Sequence, residues 1–280
     1  MASTKWNHLN NRALAYYGEG VAGAVTISTN ASVDFRDPTT YTLNSGVTES
    51  GSGGFFVLLA KTSVSISGTI NLSGASLGAT GDHFGAWAAT ATGGAGAVLH
   101  NKILAYLSPG KHPLRIAGGH GAVGEAGILG GIPGRGGGGG GAFAAGGDGG
   151  TVSGTVAVVG TQGTKGTGGG VIFIVAPKVT LESTATLNVS GTAGGIGTSG
   201  SGGGGGGAGG SVVIITQQFL DKGATFNVSG GAGGANGSSA GGAGGGEQAA
   251  GSNGAAGVSG LGSGGGGGAG GSIFIYEVST

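Results

Sequence analysis

The chain has 280 residues, 77 of them glycine, with 38% hydrophobic and 8% charged residues, no cysteine and a formal net charge of zero. Balanced charge implies no broad attraction to nucleic acid or anionic lipid, and the missing cysteines exclude disulfides, thiol chemistry and Cys-type zinc sites. Glycine stands at roughly four times its ordinary share of about 7%, and its large loss of backbone entropy on folding has to be offset by something regular.

Residues 1–50 have an ordinary glycine content and read as an N-terminal attachment region, with a simple cap on the rest of the fold as the alternative. Trp6, Leu9, Arg12, Tyr16 and Tyr17 cluster there, beside a weakly signalled helix ending at Gly18, and are the candidate attachment residues. Val21 to Thr29 and Ser32 to Leu43 alternate like strands. Met1 to His8 lacks the apolar core of a secretory signal, and no stretch reaches about 18 continuous apolar residues. Synthesis in a cytosol without the usual export signal is the expectation.

Residues 51–280 read as a second unit, a glycine-rich domain built on an internal repeat. Phe55 to Lys61 leads to Thr69-Ile70-Asn71-Leu72-Ser73-Gly74. Val171 to Ala176 leads to Thr186-Leu187-Asn188-Val189-Ser190-Gly191, and Val212 to Thr216 leads to Thr225-Phe226-Asn227-Val228-Ser229-Gly230. Ile273 to Tyr276 opens a further copy. After each Asn-x-Ser-Gly end comes a glycine-rich excursion of variable length, such as Thr192 to Gly210 or Gly231 to Gly271. Strands that stay alike while excursions vary belong to stacked repeats, in which one face is fixed by packing. Glycine spacing interrupts most windows after residue 50 before a 3.6-residue apolar stripe can build up, so little helix is expected.

Glycine suits the extended threefold polyproline-II-like helix, which has no internal hydrogen bonds. Such helices pack side by side when most positions are glycine, because their backbones then come close enough to bond one another. Gly202 to Gly210 would span roughly 28 Å in this form. Mobile hairpin tips are the alternative, disfavoured by a charge content too low to keep long loops solvated. The expected fold is all-β with irregular segments: a repeat architecture of short β-strands with packed polyglycine-II-like glycine-rich segments and little helix. A β-solenoid with glycine-rich tips and a polyglycine bundle with strand flanks use the same residues, and both stay open.

Asn71, Asn188 and Asn227 fit the glycosylation pattern Asn-x-Ser. Their recurrence at one place in the unit points instead to a structural role, with stacked amides or turn-capping bonds ending each strand. Chemistry is sparse elsewhere. His8, His83, His100, His112 and His120 show no paired metal spacing, no Gly-Lys-Ser/Thr follows a glycine run, and Gly146-Gly147-Asp148-Gly149-Gly150 occurs once where calcium repeats need several. The expectation is no enzyme, no metal and no cofactor.

Binding candidates are the large or charged residues that interrupt the excursions: Asp82, His83, Phe84 and Trp87; Ile128, Leu129, Ile132 and Arg135; Glu247 and Gln248. A glycine lattice has no interior room for tryptophan, so such side chains project outward, where rigidly presented aromatics make good anchors. The competing reading is that they shield apolar strands beneath.

Runs such as Gly202 to Gly207 followed by Ala208-Gly209-Gly210, after a distinct N-terminal region, resemble the glycine-rich receptor-binding adhesins at the tips of T-even-type bacteriophage long tail fibres. The likeness covers roughly residues 120–280 in style; the Asn-x-Ser-Gly strand ends depart from it. It implies stacked polyglycine-II helices, attachment through the N-terminal region to another phage tail-fibre or tail protein, and variable loops facing a bacterial outer-surface receptor, either protein or lipopolysaccharide. The corresponding location is the virion tail, after synthesis in the host cytoplasm. A purely structural tail or baseplate protein with subunit contacts, including a homotrimer, is the alternative. An ice-binding protein, by similarity to the glycine-rich springtail antifreezes, comes third.

Overall fold

The structure is a computed structural model, and it describes residues 19–51, 54–75, 136–137, 139–140, 160–236, 239–257 and 261–278. The described residues contain no helix; their thirteen strands form two sheets whose pairings are all parallel.

The strands are β1 (Ala24–Ile27), β2 (Ala31–Ser32), β3 (Phe35–Arg36), β4 (Thr40–Leu43), β5 (Thr48–Ser50), β6 (Phe55–Leu59), β7 (Ser63–Ile66), β8 (Thr69–Asn71), β9 (Val171–Leu181), β10 (Thr186–Asn188), β11 (Ser211–Asp221), β12 (Thr225–Asn227) and β13 (Ser272–Glu277). Their pairing describes a chain that winds. β4, β5 and β6 lie on β1, β2 and β3, and the next level is β7, β8 and the first half of β9. The second half of β9, then β10 and the first half of β11 form the fourth level; the rest of β11, β12 and β13 form the fifth. β9 and β11 each serve two levels because they turn a corner in mid-strand. In β9 the corner holds Pro177, whose missing N–H would interrupt a straight ladder. The ladder runs unbroken from residues 24–50 into the strands after residue 51.

Side chains that alternate inward stack into columns. On the first face the column is Val25, Tyr41, Val64, Val179, Phe219. The second face gives Ala31, Glu49, Ile70, Leu187, Phe226, and the third Arg36, Leu58, Ile174, Ile214, Ile275. Most of these meet in one buried core, while Phe173, Val175, Val213 and Ile215 form a second cluster on the outer side of the third face. That is why the β9 and β11 openings are continuous apolar runs: strands buried on both sides need no polar alternation.

The three Thr-apolar-Asn ends pair in the register of their sequence alignment, Thr69 with Thr186 and Thr186 with Thr225. In the other strand set, β11 and β13 start one residue earlier than their apolar runs: Ser211 pairs with Val171 and with Ser272, and Val171 with Phe55. A serine at the head of the run hides this from hydrophobicity alone.

Candidate functional site

From the strand ends the chain makes long glycine-rich excursions that return to the next strand. Seven described segments, 160–170, 189–198, 201–210, 228–236, 239–246, 249–257 and 261–271, run alternately toward and away from the sheets. They exchange backbone hydrogen bonds at every third residue. Segment 201–210 shows the pattern in full. Gly204, Gly207 and Gly210 donate to Gly195, Thr192 and Val189, while Gly203, Gly206 and Gly209 donate to Ser263, Gly266 and Ala269. Its carbonyls accept from Gly163, Gly166 and Gly169 on one side, from Gly231 and Gly234 on another, and from Gly137 and Gly140 on a fifth.

Five neighbours leave no space for a side chain at Gly203, Gly204, Gly206, Gly207, Gly209 and Gly210, and only the methyl group of Ala208 is buried among them. A Cβ on Gly204 would stand 1.9 Å from Thr164 O, and one on Gly207 would stand 2.0 Å from Thr167 O. Backbone atoms on every side cannot move aside, so each contact demands glycine. Residues 201–210 are accordingly buried throughout.

Apart from small buried ones such as Ala208, Ser263 and Ala269, the side chains of the described segments stand at the turns and on the outer layers. At the end away from the sheets the chain turns at Thr198–Ser201, and Asn236 and Ser239 exchange backbone hydrogen bonds. Ser199 holds a positive φ of 50° in that turn. Along the seam between segments 160–170 and 189–198, Thr161 N donates to Thr198 Oγ1 and Thr167 N to Thr192 Oγ1, both at 2.8 Å. Thr161, Thr164, Thr192, Ala193 and Ile196 are exposed there. Ser201 and Ser239 bond to carbonyls of Gly160 and Ala256, whereas the Asn236 carboxamide is buried without a partner.

Of the binding candidates, Glu247 and Gln248 are described and exposed. They form a turn at the sheet-proximal end, where Gln248 (φ 55°) donates its N–H to Gly271 O beside the start of β13. They are therefore far from the distal turns. Asp82, His83, Phe84, Trp87, Ile128, Leu129, Ile132 and Arg135 lie outside the described residues, as do Trp6, Leu9, Arg12, Tyr16 and Tyr17 and all five histidines.

Asn71, Asn188 and Asn227 stand in one column at the strand ends. Asn188 donates its amide to Asn71 Oδ1 at 3.1 Å. Each carboxamide oxygen also accepts the N–H two residues on, from Ser73, Ser190 and Ser229, closing an Asx turn where the strand gives way to glycine.

Near the other end of the winding is a buried polar group that sequence reading passes over. Glu49, fully buried in β5, accepts Nε and Nη2 of Arg36 on one oxygen at 2.5 Å and the Tyr41 hydroxyl on the other. Burial first, then the bond to Glu49 and its negative charge, push the Tyr41 phenol well above its usual range. Glu49 sits between Thr48 and Ser50, a context that reads as solvent-facing. The usable signal is its alignment with Ile70 in the inner column.

Among the described residues no three His, Asp or Glu side chains gather closely enough to hold a metal ion. No family model matches the chain, and neither a curated protein nor a solved structure is similar to it.

Proposed function

We propose that the protein is a bacteriophage tail-fibre or tail-tip protein that recognises a bacterial surface receptor through the residues interrupting its glycine scaffold. We read the three-residue bonding of the excursions as polyglycine-II packing, and the whole as a β-solenoid repeat carrying a polyglycine bundle, so that the two architectures left open by the sequence coexist. One observation carries the functional reading: the packed glycines leave no space for large side chains inside, and the described turns, such as Thr198–Ser201 and Glu247–Gln248, present theirs at the ends of mutually hydrogen-bonded segments. Such a base lets turn residues vary without disturbing the fold, and contact costs them little conformational entropy.

In this reading residues 1–50 attach the protein to another tail protein. Asp82, His83, Phe84, Trp87, Ile128, Leu129, Ile132, Arg135, Glu247 and Gln248 remain the candidates for the receptor, a protein or lipopolysaccharide, and the protein does no catalysis. The test is adsorption: purified protein should coat host cells and compete with phage for infection. Protein that neither binds cells nor delays infection ends the adhesin reading. A purely structural role in the virion is the second reading, favoured by the strand edges at the two ends of the winding that have no strand neighbour among the described residues.

A further inference from the structure

Among the described residues four large hydrophobic side chains stand exposed, and three of them sit at the ends of the winding. Val21 (77% exposed) and Phe35 (55%) belong to the first level and Leu220 (43%) to the last; the fourth, Ile196, lies on the glycine lattice. Both ends also carry strand edges without a strand neighbour among the described residues: β1, β2 and β3 at one, β12, β13 and the second half of β11 at the other. On β13 the bonding direction is determined. Ser272 N and Val278 N donate toward β11, to Gly210 O and Thr216 O. Alternation along the strand then turns the N–H and C=O groups of Ile273, Ile275 and Glu277 to the side away from β11.

We propose that the last level of one molecule pairs with the first level of a second copy, head to tail. Three features of the ends match. Every strand pairing among the described residues is parallel, so a copy in the same orientation extends both sheets without reversing a strand. Register also agrees: Phe35 heads the outer column that passes through Val57, Phe173 and Val213 to Phe274, so the incoming Phe35 lands beside Phe274, whose ring already stacks on Tyr276 at 6.3 Å. Inside, Phe219, Phe226 and Ile275 are met by Val25, Ala31 and Arg36, and the guanidinium of Arg36 is already paired with Glu49.

The Phe219 N–H is taken by Glu277 Oε1 at 3.2 Å, so the first face adds fewer bonds than the other two. An unprotected edge templates pairing with another chain, and a heterologous contact that does not close builds filaments. The inference rests on the two ends alone and holds whether or not a receptor is bound.

The full chain is examined by light scattering after size exclusion and by electron microscopy over a wide concentration range. Mass should grow with concentration, as rods one winding wide. Phe35→Lys and Leu220→Lys alter exposed side chains, and circular dichroism checks that both variants fold. Each should raise the concentration for half-association at least about tenfold. Mixed one to one, the variants should form heterodimers and nothing longer, because Phe35→Lys keeps an intact last level and Leu220→Lys an intact first level. Wild-type protein that stays monomeric overturns the proposal. So does a dimer that never grows, or a pair of variants that mixing fails to rescue.

Discussion

The winding and the glycine lattice bury their backbones by opposite means. In the sheets, a strand satisfies its backbone with two neighbours and fills the remaining space with side chains such as Phe56, Ile172 and Leu187, all fully buried. In the lattice, segment 201–210 bonds to five neighbours and fills the space with backbone itself. The comparison teaches that the response to substitution reverses between the regions. Removing volume is costly in the sheets, where a cavity opens, and adding volume is costly in the lattice, where nothing can yield.

The largest expected effect comes from emptying the core. Phe56→Ala should lower stability by about 3–5 kcal/mol in a denaturant titration. Gly204→Ala adds a single methyl group, yet it should cost about 3 kcal/mol, at the upper end of overpacking, because Thr164 O lies 1.9 Å from the new carbon. A loosely held lattice would absorb that methyl group at little cost, and the contrast between the regions would fail.

Next is the polar trio near the first level. Tyr41→Phe leaves one oxygen of buried Glu49 without its donor and should cost about 1–3 kcal/mol. It should also change the alkaline limb of the stability profile. The folded Tyr41 phenol ionises above its ordinary value near 10, whereas the unfolded one ionises there. The unfolded state therefore loses its proton first, and stability falls as pH rises past about 10. The variant should flatten that fall, leaving the share of Tyr276, which burial also raises. An unchanged alkaline slope would remove Tyr41 from this role.

Asn188→Ala breaks the amide step to Asn71 and one strand-ending turn, for about 1 kcal/mol, and should lower the melting temperature while cell adsorption of the folded protein stays the same. Lost adsorption with unchanged melting would place Asn188 at a binding surface instead. The smallest effect sharpens the comparison from within the lattice. A Cβ on Gly246 meets nothing within 4 Å, so Gly246→Ala should lie within about 0.5 kcal/mol of wild type.

The strands were legible because their chemistry is periodic. Thr69, Thr186 and Thr225 announce a shared register, and the Asn-x-Ser ends recur where the structure turns a strand into glycine. The lattice was legible only as a composition. A run like Gly202 to Gly207 has no side chain to mark which residue bonds to which neighbour, so neither the five-neighbour arrangement nor the sheet-proximal position of Glu247 and Gln248 follows from it. Glu49 stayed hidden for another reason: its partners Arg36 and Tyr41 reach it through the stacking of levels, and local alternation says nothing about that. Phe35 and Leu220 likewise look like ordinary strand apolars until the ends of the winding are known.

Hydrogen exchange on glycine-labelled protein, resolved by NMR, tests the central claim that the glycine runs are a packed scaffold. Gly203, Gly204, Gly206, Gly207, Gly209 and Gly210 all donate to neighbouring segments. Their amides should exchange as slowly as those of Val212 to Ile215 in β11, many orders of magnitude below an unstructured chain. Exchange of these six amides at unstructured rates, with β11 still protected, would contradict the account.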